Sequence, residues 1–107
     1  MKNRIEILKQ FMEEEPQDPF NYYALATELL KTNKSESRQL FEFLIKNHAD
    51  YLPTYYHLGA LYVEMEETDL AIRVYLSGIQ LADKLKNEKT LKELKGAYQM
   101  LMDELED

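Results

Sequence analysis

Cysteine is absent from the 107 residues, which excludes disulfides and every zinc site built on thiolates and fits a reducing compartment. Long apolar runs are missing too. No segment approaches the roughly 20 apolar residues of a membrane span, and the opening Met1-Lys2-Asn3-Arg4-Ile5-Glu6 lacks the apolar stretch of a signal peptide. A cytoplasmic address is the expectation. Positive charge is in short supply, since 13 Lys and Arg against 20 Asp and Glu leave a formal net charge of -7. Affinity for phosphate backbones and anionic lipid comes from Lys and Arg neutralising negative charge, so neither nucleic acid nor a membrane is expected as a partner.

Catalytic motifs are absent as well: there is no Gly-rich phosphate loop, no G-x-S-x-G elbow, no H-E-x-x-H, and no cysteine for a Cys-His pair. Ser35, Ser37 and Ser77 have no histidine near them in sequence. Glu66 and Glu67 fall at a turn without an apolar pocket to shift either carboxylate. His48 and His57 are the only histidines; they lie in different segments without an acidic or cysteine partner at ligand spacing, so no metal site is expected. The chain reads as a non-enzyme without cofactors.

What is present is helical. Glycine and proline occur three times each, so runs rich in Leu, Glu, Lys and Ala pass with few interruptions. With 45% hydrophobic and 31% charged residues, the chain is expected to fold as a single domain over 1-107. Tyr22, Leu25, Ala26, Leu29 and Leu30 form one stripe at helical spacing, with Asp18 as N-cap and Pro19 in the first turn. A second segment opens at Ser35 as N-cap and carries Ser37, Leu40, Phe41, Leu44 and Ile45 on one face. After Pro53 come Tyr55, Leu58, Gly59, Tyr62 and Val63. After Thr68 come Ala71, Val74, Tyr75, Gly78, Ile79 and Ala82, with Leu70, Ile72 and Leu76 outside that stripe and expected to be buried on a second side. Flanking stripes of Ile5, Leu8 and Met12, and of Leu91, Leu94, Tyr98, Leu101, Met102 and Leu105, complete six antiparallel helices. Turns fall near Pro16, Thr32 to Lys34, Leu52-Pro53, Glu66-Glu67 and Asn87, and no strand is expected.

Laid on itself with an offset of 33, the chain matches: Tyr22-Tyr23-Ala24-Leu25-Ala26 falls on Tyr55-Tyr56-His57-Leu58-Gly59. A repeat of this length signals stacked helical hairpins. The second unit resembles the tetratricopeptide repeat (TPR) signature: Tyr55 stands for its first aromatic, Leu58-Gly59 for the central pair, Tyr62 for the tyrosine, Ala71 for the alanine and Tyr75 for the phenylalanine. Asp83 departs from the closing proline. In the first unit Tyr22, Leu25, Ala26 and Leu29 match the first helix, Ser37 and Phe41 match the second after a turn one residue shorter, and Ala49 stands at the closing proline. The resemblance implies an all-α fold, an α-solenoid wound as a right-handed superhelix. Its parts are an N-terminal helix over 2-15, repeat one over 19-51, repeat two over 52-85 and a C-terminal capping helix over 88-106.

Members of this family bind peptides or protein segments in a concave groove lined by the first helix of each hairpin. The positions that correspond are Tyr23, Thr27, Leu30 and Lys31 in the first unit and Tyr56, Ala60, Val63 and Glu64 in the second. Tyr23 and Tyr56 lie 33 residues apart, one residue off the core stripe, and such aromatics anchor interfaces. The same two rings can instead serve only to pack between layers. Ala24 and His57 stand where the chaperone-tail groove of this family carries asparagine, so that activity is not implied. Another protein or peptide is the expected partner of a non-catalytic scaffold. Two alternatives stay open: a homodimer formed through the terminal helices, because arrays of this kind generally need three or more units with capped ends, and a small enzyme, which requires a deep pocket. Lys84, Lys86, Lys89, Lys92 and Lys95 form a basic run, and Glu13-Glu14-Glu15 and the tail an acidic one; both read as solvated faces.

Overall fold

The structure, a computed structural model, describes residues 1–106. Among these it contains six helices and no strand: α1 (Arg4–Glu14), α2 (Pro19–Leu29), α3 (Lys34–Asn47), α4 (Pro53–Glu64), α5 (Thr68–Lys84) and α6 (Glu88–Glu106). The chain divides into two compact units, Met1–Thr54 and the residues from Tyr55 onward, with the division in the first turn of α4.

In the first unit, the Asn3 side chain caps α1 by accepting the Glu6 amide at 2.9 Å. Asp18 caps α2 through the Phe20 amide at 3.0 Å, with Pro19 in the first turn as its lack of an N–H allows. The start of α3 differs from the sequence reading: Asn33, not Ser35, is the N-cap, accepting from the Glu36 amide at 3.1 Å. The Asn33 side-chain amide also donates to the Glu36 carboxylate at 3.3 Å, while the Asn33 backbone N–H donates to the Leu29 carbonyl at 2.7 Å, so the helix begins where both side-chain contacts close. Leu8 packs with Leu25 and Leu29, flanked by Ile5, Met12, Ala24 and Leu40, so the expected stripes of the first two helices face each other. Asn21 ties the end of α1 down, its side-chain amide donating to the carbonyls of Phe11 and Glu15 at 3.3 and 3.2 Å. Both carbonyls also accept a backbone amide, Phe11 that of Glu15 at 2.9 Å and Glu15 that of Asp18 at 3.2 Å, so Asn21 adds a second donor to each.

In the second unit, the row Ala71, Tyr75, Gly78 and Ala82 of α5 is buried. A Cβ at Gly59 would overlap the Tyr75 ring, and a Cβ at Gly78 would lie 2.6 Å from the Tyr55 Cβ. Both helices therefore place a ring where the other has no side chain, which is how α4 and α5 come into close contact. Leu94 and Leu101 of α6 are buried, and Leu94 reaches toward Gly78 as well. The expectation of burial on a second side of α5 holds for Leu70 and Ile72, which are half-buried, and fails for Leu76, which is exposed. Leu76 follows Tyr75 directly, and one residue turns a helix by about 100°, so it leaves the contact row. Leu105, at the end of the α6 stripe, is exposed too.

Candidate functional site

The second unit contains an open cleft of about 470 Å³. On its α4 side stand Tyr56, Ala60 and Val63, three of the positions assigned to the groove, at the i, i+4, i+7 spacing that sets them on one helix face. Tyr75 of α5 lines it from the core, with its phenol pushed up by burial and, to a smaller degree, by Tyr56. The α6 side carries Gly96, Ala97, Met100 and Leu101, with Lys92, Glu93 and Glu104 bringing charge. Ala60 and Gly96, small and exposed, keep the cleft open between the helices, and a Cβ built at Gly96 would meet nothing within 4 Å. Tyr56 is 42% exposed and Met100 65%, so two large apolar side chains stand in solvent at its rim. Tyr56 also meets His57 edge-on, centroids 5.9 Å apart. Burial lowers the pKa of His57 from its ordinary value. Glu64, the last residue of α4, is exposed and is not part of the lining.

The positions assigned to the groove in the first unit have other surroundings. Tyr23 is half-buried in an aromatic group, with the rings of Tyr51 at 5.6 Å, Phe41 at 6.4 Å and Phe20 at 6.5 Å, and burial raises its pKa. The Thr27 hydroxyl donates to the Ala24 carbonyl of its own helix at 2.9 Å. Leu30 is the C-cap of α2, and Lys31 follows in the turn with its ammonium 3.4 Å from Glu28. Tyr22, the counterpart of the buried Tyr55, is half-buried; it stacks on Phe43 at 4.6 Å and donates to the Pro16 carbonyl at 2.7 Å. Leu44, fully buried, holds the place in α3 that Gly78 leaves open in α5.

The sequence reading found the α4 wall of the cleft and missed the α6 wall. Two signals mark that wall: the small pair Gly96-Ala97 inside a helix of long side chains, and Met100, which lies off the buried stripe. Among the described residues no group of acidic, histidine or cysteine side chains could hold a metal ion, and no helix is long and apolar enough to cross a membrane.

Helical hairpins joined by short turns, with a sequence that repeats at 33 to 34 residues and with Gly59 and Gly78 set against rings in the second unit, define a helical-repeat protein. A solution NMR structure of a tetratricopeptide repeat domain protein from Salinibacter ruber is 46% identical to the chain over 80% of its length and 88% of the neighbour's, with a TM-score of 0.76. A crystal structure of the tetratricopeptide repeat domain protein from the same organism is 45% identical over 79% and 97% of the two chains, with a TM-score of 0.77. Neither a protein-family model nor a curated protein sequence matches the chain. The chain belongs to the tetratricopeptide repeat family.

Proposed function

We propose that the chain is a non-catalytic protein-interaction module that receives an apolar segment of another protein in the cleft between α4 and α6. Tyr56, Ala60 and Val63 form one wall. Within the first unit by itself, Tyr23, Thr27, Leu30 and Lys31 are proposed as contact positions, and in the second Glu64 adds a charge at the end of α4. The observation that carries the reading is the cleft itself, in which two large apolar side chains, Tyr56 of α4 and Met100 of α6, are exposed to solvent. An aromatic ring anchors an interface at low entropic cost, and a methionine adapts its shape to what it meets. Among the described residues no serine, threonine, cysteine or histidine lines the cleft, so it lacks the usual pairing of a nucleophile with an imidazole base. A comparison of pull-downs by the natural chain and by Tyr23→Ala/Tyr56→Ala tests this. Loss of the captured partner with an unchanged helical circular dichroism spectrum is expected; undiminished capture moves the site elsewhere.

A further inference from the structure

Along the outer side of α6, the exposed residues Lys92, Gly96, Met100 and Glu104 follow one another at intervals of four, the spacing that forms a ridge on a helix surface. All four line the cleft. The row consists of a cation, the smallest residue, a large flexible thioether and a carboxylate. Turned end for end, it is its own complement: Lys92 comes opposite Glu104, and Met100 comes opposite Gly96. Both pairings share residue 98 as their midpoint, so a single register satisfies them.

We propose that the cleft is occupied by the α6 helix of a second copy of this chain, antiparallel to the first, with Met100 of each beside Gly96 of the other and Lys92 of each against Glu104 of the other. This rests on the reading that the cleft is where the second unit is bound, and it names the occupant. Gly96 supplies the space, because nothing stands within 4 Å of where its Cβ would be. Met100, 65% exposed, supplies the side chain that fills it. Packing of such i±4 ridges is the commonest way that two helices meet, and a two-fold contact is the commonest form of self-association.

A second observation concerns charge. Lys89, Lys92 and Lys95 lie in the first half of α6 together with Glu88 in the first turn and Glu93, while Asp103, Glu104 and Glu106 stand at its end, where the last turn holds no basic residue. A helix dipole disfavours acids at that end. The acidic end works against α6 as an isolated helix, and a second α6 running in the opposite direction brings lysines beside it.

Sedimentation equilibrium of the full chain over a range of concentration and salt tests the proposal. The natural chain is expected to dimerise reversibly, more tightly at low salt. Lys92→Glu and Glu104→Lys each set like charges opposed at both ends of the contact, and each is expected to raise the dimer Kd on the order of tenfold. The double variant, or an equimolar mixture of the two single variants, is expected to recover the natural Kd. Gly96→Leu, whose side chain enters open space in the single chain, is expected to stay helical and monomeric. A natural chain that remains monomeric at millimolar concentration overturns the proposal, as does a dimer indifferent to the charge swaps and to Gly96→Leu. If the natural chain is monomeric and Gly96→Leu abolishes capture of another protein, only self-docking falls. If Gly96→Leu alters neither self-association nor capture, the cleft reading falls with it.

Discussion

Replacing Ser37 by alanine sets two arguments against each other. Alanine is what the repeat signature carries at this position, and alanine is the better helix former by about 0.5 kcal/mol, so a consensus argument expects a neutral or stabilising change. The structure argues otherwise. α2 ends in a tightened turn in which the carbonyls of Thr27, Glu28 and Leu29 accept the amides of Leu30, Lys31 and Thr32 at 3.3, 3.4 and 3.1 Å. That leaves the Ala26 carbonyl one residue short of the turn, and the Ser37 hydroxyl of α3 donates to it at 2.6 Å. Both residues are fully buried, so no water replaces the lost donor. A buried carbonyl left without its partner costs about 1–3 kcal/mol, which outweighs the gain in propensity. With a shift of about 4–8 °C per kcal/mol for a domain of about this size, Ser37→Ala should lower Tm by about 5–15 °C. Thermal unfolding followed by circular dichroism measures it, with Ser35→Ala, two residues away on the opposite, exposed side of the helix, as the control that should barely move. A Tm for Ser37→Ala equal to or above that of the natural chain would refute the hydrogen-bond argument and leave the consensus argument standing.

Gly59→Ala drives a methyl into the buried Tyr75 ring and should destabilise by about 1–3 kcal/mol; Gly96→Ala, in open space, should instead stabilise by about 1 kcal/mol, and urea midpoints of the two variants should move in opposite directions. Thr54 is fully buried, and its hydroxyl has no hydrogen-bond partner among the described residues, so Thr54→Val, close in shape, should raise the urea midpoint; a fall means that the hydroxyl is bonded in solution. The pKa of His57 is lowered by burial from its ordinary 6.5. A base with a depressed folded pKa contributes stability that is present above the unfolded pKa and lost as pH falls through it toward the folded value. Tm should therefore drop below about pH 6.5 more steeply for the natural chain than for His57→Gln, and equal slopes would remove His57 as the cause.

The helices were legible in the sequence because each buries one stripe and the stripes are long. Ile5, Leu8 and Met12 face Leu25 and Leu29 as their spacing requires, and the aromatic and small residues of the signature find one another across α4 and α5. What periodicity does not show is how one unit departs from the other. Leu44 stands where Gly78 does, so Tyr22 lies half-buried against Phe43 while its counterpart Tyr55 is buried against glycine. The substitution is visible in the alignment of the two units, but its consequence depends on which side chain holds the shared volume. The start of α3 was misplaced for a related reason: Asn33 and Ser35 are both good N-caps, and only the closure of the Asn33-Glu36 contacts decides between them.

The cleft was half legible, and the missing half has a physical cause. A stripe search finds the residues that a helix buries, and the α6 wall consists of residues that it does not bury: Lys92, Gly96, Met100 and Glu104 are all exposed. If α6 served only to cover the end of the second unit, its outer row would be free to follow the helix dipole, with acids early and bases late, and to carry long polar side chains throughout. Instead it has lysine early, glutamate late, a glycine near its centre and a methionine one turn further on. Glycine weakens a helix by about 1 kcal/mol relative to alanine, and Glu104, in a last turn that holds no basic residue, weakens it further. The outer row of α6 is therefore poorer as a helix surface than composition alone would allow, and each departure is a feature that a contacting helix can use.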